Sequence, residues 1–358
     1  MNNASDLSPS LAVIITRPKL HKALLEEIST IRQQGKHLPP TSEISELAEG
    51  AIGITTPNTL TLLTPLAFAR QILPNAQQIS GESISELAHG IFTFIDTHLD
   101  QSDATWAIHI YEPSTSEDGI VHKRAMLIEE SLKELLAKKR RGIQKRHTTR
   151  VEDAHLLVQG VLADARSLYV SCDEVSSYPS IRHHLAGYID IEDDKSPPSR
   201  AFKKLVEARA LWHLPFQATQ SAVDLGASPG GWTYIAVSWG LTVTAVDRSP
   251  LEEKLMRNKR VRFTQGDAFS WCPTAQNSPL DWLLCDVISA PERTATLLQE
   301  WIGNRRCRNF CVTMKFKGEP AVSTVMELKE WMSTHTEWFD VAPLTNNKNE
   351  VTWVGRIE

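Results

Sequence analysis

Several things are scarce in this 358-residue chain, and each scarcity excludes a class of protein. There are only five cysteines (172, 272, 285, 307, 311), none in the paired spacing of a zinc site or a disulfide framework. Cys285 and Cys311 fall inside apolar runs, so they read as core thiols in a reducing, cytoplasmic setting. The twelve histidines are scattered, and no metal site is expected. No apolar stretch approaches the ~20 residues that cross a bilayer, and the polar opening Met1 to Pro9 has no signal-peptide core. No membrane partner is expected. Excess positive charge is missing too: 38 Lys+Arg face 43 Asp+Glu, a net charge of −5, which argues against an indiscriminate nucleic-acid binder. The length leaves room for two or three domains.

A glycine-rich turn is the most informative feature present. Ser221-Ala222-Val223-Asp224-Leu225 reads as a buried parallel strand, and the helix-like stretch Thr233 to Trp239 follows the turn. Between them lie Gly226, Ala227, Ser228, Pro229, Gly230, Gly231 and Trp232, with glycines free to bring backbone close to a ligand. The next strand, Leu241 to Val246, ends in Asp247, about 20 residues on, where a carboxylate meets ribose hydroxyls. A dinucleotide site wants G-x-G-x-x-G. Here the spacing is G-x-x-x-G-G, and Pro229 removes an N–H that would serve a phosphate. That points to an adenosine-type cofactor without a phosphate, such as S-adenosyl-L-methionine. The bland alternative is a glycine turn in some other doubly wound domain.

Three later strands carry chemistry at their ends. Val261 to Phe269 reads as a strand ending in Gly266-Asp267-Ala268, Asp281 to Val287 as one with Asp286 at its carboxyl end, and Asn309 to Lys315 as one that ends in a lysine. Carboxyl ends of parallel strands are where an open α/β sheet binds ligands, so Asp267, Asp286 and Lys315 are expected in one crevice.

The loop Asp224 to Trp232, D-x-G-x-x-P-G-G-W, resembles that of the FtsJ-like RNA ribose methyltransferases. The resemblance is dense from about residue 198 to the end. It includes Pro198-Ser199-Arg200 upstream of Lys204 and Ala222 to Ala227 at the loop, both like the branch that acts on a cytidine of large-subunit ribosomal RNA. It implies a Rossmann-like methyltransferase domain and a catalytic tetrad of Lys204, Asp286, Lys315 and Glu350. Lys315 would be the general base, Asp286 and Lys204 its positioning partners, and Glu350, on the penultimate strand of the sheet, an orienter of Lys204. The implied cofactor contacts are Ala201, Gly226, Ser228, Pro229, Gly230, Gly231, Trp232, Asp247, Asp286 and, at the adenine amino group, Asp267. Ala201 and Ser228 depart from the family, which has Ser and Cys there, and Phe316-Lys317-Gly318-Glu319-Pro320 is shorter and less basic than its counterpart. A ribose hydroxyl is a poor nucleophile, so a base and tight positioning carry most of the acceleration. Lysine normally holds its proton near neutral pH, and a second cation close by favours the neutral amine.

The first half is harder to read. Ala12 to Ile15, Gly50 to Thr55 and Thr59 to Leu63 look like strands, with an amphipathic helix from His21 to Ile31. Leu66 to Leu73 resembles the opening of a THUMP RNA-binding module. Helices Ile84–Leu99 and Ala125–Lys139 and strands Trp106–Tyr111, Leu156–Leu162 and Ser167–Ser171 follow. The expected organisation is an α+β, ferredoxin-like subdomain over 1–65, a THUMP-like domain over 66–175, a linker over 176–198 and the methyltransferase domain over 199–358. Residues 1–198 hold 19 Lys+Arg against 26 acids, yet one acid-free run stands out: Lys138, Lys139, Arg140, Arg141, Lys145 and Arg146. It is a candidate phosphate-contacting segment, or else a solvated helix end. The expected partner is RNA, ribosomal RNA before assembly is complete, bound by a monomer or weak dimer. Two rivals stay open: a base methyltransferase, although Asp286-Val287-Ile288-Ser289 lacks the Asn/Asp-Pro-Pro-aromatic motif, and a non-catalytic ribosome-assembly factor on the same fold.

Overall fold

The computed structural model describes residues 10–35, 38–56, 65–113, 123–175, 184–274 and 278–357. Two compact units divide the chain, Met1–Ile189 and Asp190–Glu358.

The first unit contains two four-stranded sheets. One begins with β1 (Ser10–Ile15), α1 (His21–Gln34), β2 (Glu43–Ala48) and β3 (Ala51–Thr56), and its fourth strand is β4 (Gln71–Leu73). The order β2-β3-β1-β4 is antiparallel throughout, so β3 sits between β1 and β2 in a split βαβ arrangement. Because β4 pairs with β1, this sheet reaches past the boundary expected at residue 65. The buried carboxylate of Glu27 on α1 fixes that crossing segment by accepting from Ala67 N–H (2.9 Å) and Phe68 N–H (3.2 Å). The strand expected at Thr59–Leu63 lies outside the described residues.

The second sheet is built from β5 (Gln77–Ser80), α2 (Ile84–Leu99), β6 (Trp106–Tyr111), α3 (Lys123–Lys139), α4 (Arg141–Lys145), β7 (Leu156–Leu162) and β8 (Ser167–Glu174), in the order β5-β8-β7-β6. Alternation sorts its faces: Ile108, Ile110, Val158, Leu162, Leu168 and Val170 join Leu87, Ile91 and Ile95 of α2 and Ile128, Leu132 and Leu136 of α3 in one core. Ser83 caps α2, its hydroxyl accepting from Glu86 N–H (3.2 Å).

The second unit begins at Asp190, so residues 190–198 belong to it rather than to a free linker. Lys203 donates to Ile191 C=O and pairs with Asp193 (both 2.7 Å), and Lys254 donates to Ser196 C=O. Residues 176–183 lie outside the described residues. The unit proceeds through α5 (Phe202–Trp212), β9 (Ser221–Leu225), α6 (Gly231–Ser238), β10 (Thr242–Asp247), α7 (Glu253–Met256), β11 (Val261–Gln265), β12 (Leu280–Cys285), α8 (Pro291–Gly303), β13 (Cys307–Lys315), α9 (Val322–Met332), β14 (Trp338–Ala342) and β15 (Glu350–Arg356). Its sheet has the order β11-β10-β9-β12-β13-β15-β14, with β15 antiparallel to both neighbours and the first five strands parallel. The central strands are buried on both faces, which explains their continuous apolar runs. α5 and α6 bury Phe202, Leu205, Trp232 and Ala236 against Ala222, Val243, Trp282 and Leu284. Strand order reverses between β9 and β12, the place where an open α/β sheet leaves a crevice.

Candidate active site

Parallel topology sets every chemistry-bearing strand end on one edge. β9 runs into Gly226, β10 ends at Asp247, β12 is followed by Asp286 and β13 ends at Lys315. β15 is antiparallel, so its first residue, Glu350, starts at that same edge, paired in register with Lys315. Lys204 reaches in from the first turn of α5.

These four side chains converge. Lys204 Nζ lies 3.0 and 3.2 Å from the two oxygens of Asp286 and 2.6 Å from Glu350 Oε1. Lys315 Nζ lies 3.0 Å from Asp286 Oδ1 and 3.8 Å from Glu350 Oε2. Both lysine nitrogens therefore share Asp286 Oδ1. The side chains of Lys204, Asp286 and Glu350 are 11%, 12% and 6% exposed, against 20% for Lys315, which makes Lys315 the member most open to an incoming group. Burial works against the charge on Lys204, but the Asp286 and Glu350 carboxylates beside it outweigh this and raise its pKa, so it stays a fixed cation.

The glycine loop is shaped by its neighbours. Gly226 (φ +75°) and Gly230 (φ +115°) hold left-handed conformations, and a Cβ on them would fall 2.9 Å from Val287 Cβ and 2.3 Å from Leu255 Cδ1. A Cβ on Gly231 would meet Ser199 Oγ at 2.4 Å, so this glycine lets the segment before α5 close onto α6. Trp232 strengthens that seam by donating from Nε1 to the Ala201 carbonyl (2.9 Å). Asp247 accepts from Ser228 N–H (3.0 Å) and Ser249 N–H (2.8 Å), which fixes the carboxylate while leaving it lone pairs for ribose hydroxyls. Pro229 follows Ser228, whose hydroxyl donates to Pro250 C=O. Asp267 is held between two arginines, Arg248 (3.2 Å) and Arg293 (3.4 Å), the latter with its guanidinium 3.8 Å from the Phe269 ring centre.

The basic run of the first unit divides into two groups. Arg140 is bound to Asp96 (2.6 Å) and Asp100 (3.5 Å). Arg146 donates to the carbonyls of Leu99 (2.9 Å), Ser102 and Ala104 (3.3 Å), where it completes the C-terminal end of α2. Both arginines thus have structural partners within the first unit. Lys138, Lys139, Arg141 and Lys145 are exposed, as is Arg140, and Lys138 pairs with Glu134 (3.5 Å).

Several working residues escaped the sequence reading. Glu207, one turn after Lys204 on α5, is buried and accepts from Thr345 N–H (2.5 Å), Asn346 N–H (3.0 Å) and the Asn346 side chain (2.8 Å), which anchors the loop leading to Glu350. Asp224 is fully buried beneath the glycine loop, accepting from Thr233 Oγ1 at 2.6 Å. Desolvation, helped by the nearby Asp286 charge, pushes its pKa up to about 7. Ile288 stands 86% exposed two residues from Asp286, on a loop pinned by Val287 against Gly226 and by the Ser289–Thr294 hydroxyl pair (2.7 Å). Among the described residues, no three His, Cys, Asp or Glu are grouped to hold a metal, and no helix is long and apolar enough to cross a membrane.

Residues 197–324 match the FtsJ-like methyltransferase family. The chain is 38% identical over 144 residues to the ribosomal RNA large subunit methyltransferase M of Pseudomonas putida, covering 38% of this chain and 40% of that protein. The protein of the same name from Thauera aminoaromatica is 38% identical over 139 residues, 37% of each chain. The match thus spans less than half the length of these relatives. Among solved structures, a putative ribosomal RNA methyltransferase from Plasmodium falciparum aligns with a TM-score of 0.35 and 15% identity, over 44% of this chain and 97% of that one, too distant to bear on function. S-adenosylmethionine is the methyl donor of an FtsJ-like domain, and the donor set here fits it. Asp247 suits a ribose, and no cation stands on residues 226–232 to serve a phosphate. The family match thus falls on residues 197–324, within the second unit.

Proposed function

We propose that the chain methylates a ribose 2′-hydroxyl of RNA, with a cytidine of large-subunit ribosomal RNA as target. The observation that carries this reading is the two-lysine, two-carboxylate cluster on the crevice edge that also carries the glycine loop and Asp247. S-adenosylmethionine supplies an electrophilic methyl on a sulfonium. The backbone of Ala201 and of Gly226 to Trp232 would cradle it, Asp247 would hold its ribose and Asp267 its adenine amino group. Lys315, as neutral amine, takes the hydroxyl proton at Nζ. Asp286 holds Lys315 and Lys204 on one oxygen, and Glu350 orients Lys204. Ile288 offers an apolar face to the target nucleoside. A base methyltransferase would have no evident use for a paired-lysine base of this kind.

Residues 66–175 would act as a THUMP-like RNA-binding half, through Lys138, Lys139, Arg141 and Lys145. Ribosomal RNA as substrate is supported by the names of the relatives. The test is transfer of labelled methyl from S-adenosylmethionine to a large-subunit ribosomal RNA transcript, followed by alkaline hydrolysis. A 2′-O-methyl group blocks cleavage at its own linkage, so label should appear in alkali-resistant dinucleotides. Label confined to mononucleotides would contradict ribose methylation, and no label at all would favour an assembly factor.

A further inference from the structure

The ladder between β13 and β15 continues outward beyond the Lys315–Glu350 pair. Phe316 N–H donates to Asn349 C=O (2.9 Å), and the Asn349 side chain donates to the carbonyls of Phe316 (3.3 Å) and Gly318 (2.6 Å). Gly318, at φ +88°, turns the chain away. Lys317 follows Phe316 and Lys348 precedes Asn349, so both stand just beyond the last bonded residues of the two segments, and both are exposed. Among the described residues neither lysine side chain has an ion pair or hydrogen bond.

Two exposed cations therefore stand within two residues of Lys315 and Glu350. The two carboxylates of the tetrad are already engaged by Lys204 and Lys315. The Asn349 clamp fixes the backbone on which both cations stand. A target ribose lowered towards Lys315 carries a phosphodiester on each side, so an anion arrives at the rim whenever the hydroxyl arrives at the base.

We propose that Lys317 and Lys348 form a phosphate clamp that grips a phosphodiester flanking the target ribose. The clamp rests on the reading of the chain as an RNA ribose methyltransferase. It places the substrate backbone across the end of β13 and β15, and it assigns the polar rim of the site to RNA rather than to cofactor.

Lys317→Ala/Lys348→Ala, with Lys317→Arg/Lys348→Arg as its charge-preserving partner, tests this on a large-subunit ribosomal RNA transcript at several salt concentrations. The alanine pair should raise KM for RNA about tenfold and keep kcat within about twofold. Its binding should lose about one unit of salt-dependence slope, while S-adenosylmethionine affinity stays unchanged. The arginine pair should restore both KM and slope. If the unmutated chain methylates the transcript and the alanine pair does so with unchanged KM and slope, the clamp is wrong and the ribose methyltransferase reading survives. A loss in the alanine pair that arginine does not restore also overturns a phosphate contact. If the unmutated chain neither binds nor methylates RNA, the functional reading falls and takes the clamp with it.

Discussion

Replacing Lys204 with methionine probes how far the four-residue cluster behaves as one buried unit. Methionine has a similar reach and no charge, so Lys204→Met leaves the α5 packing in place. It also strands Asp286 and Glu350, both nearly buried, with Lys315 as their single remaining cation in the cluster. Removing one partner of a buried ion pair typically costs about 3–5 kcal/mol, because the surviving charge stays desolvated. For a domain of this size that corresponds to roughly 6–20 °C in melting temperature. The raised pKa of Lys204 means its contribution is present in full below the ordinary lysine value and is lost only as pH rises through the raised value. Measurements between pH 6 and 8 are therefore free of its titration. The assay is thermal melting of the full chain, and the relevant transition is the one that added S-adenosylmethionine raises. Adding Glu350→Gln to Lys204→Met should recover part of the loss, since fewer unpaired charges remain. A Lys204→Met protein that melts within a degree or two of the unmutated chain would show that the carboxylates are hydrated, and the picture of a coupled buried cluster would fail.

Asp224, with its pKa pushed up to about 7 by burial, binds a proton in the folded state that the unfolded chain releases near pH 4. Stability of the catalytic unit should therefore fall as pH rises from about 4 to 7. Asp224→Asn should flatten that slope in melting curves, and an unchanged slope would contradict the assignment. Asp247→Ala should weaken S-adenosylmethionine binding at least tenfold by calorimetry, since a carboxylate held by two N–H groups is lost. Arg146→Ala should lower the melting temperature of the first unit by uncovering the carbonyls that end α2, with little change in the salt dependence of RNA binding. Neutralising Lys139 and Arg141 should instead flatten the salt dependence of RNA binding and leave the melting temperature little changed.

What the sequence conveyed follows from how the strands are buried. β9, β10, β12 and β13 are wrapped on both faces, so their apolar runs stand out, and a polar residue at the end of such a run marks the crevice edge. Asp247, Asp286 and Lys315 were legible for that reason, and Lys204 and Glu350 only through family resemblance, since nothing local connects α5 to β15. β2 and β5 were missed because Glu43–Ala48 and Gln77–Ser80 are largely solvated and lack an apolar stripe. The roles of Arg146 and Glu207 depend on carbonyls 42 to 47 residues away and on a loop 138 residues away, and no periodicity encodes such pairings. β4 crossed the expected domain boundary for a similar reason: a three-residue strand joins a sheet by hydrogen bonding to β1, without a pattern of its own.

Single-turnover methylation of a large-subunit ribosomal RNA fragment by Lys315→Ala tests the central claim most directly. Lys315 is the open member of the cluster, and its loss removes the proposed base while leaving Lys204 between Asp286 and Glu350. The account predicts a rate lower by ~10²–10⁴-fold with S-adenosylmethionine affinity unchanged. Methyl transfer at the unmutated rate would contradict it.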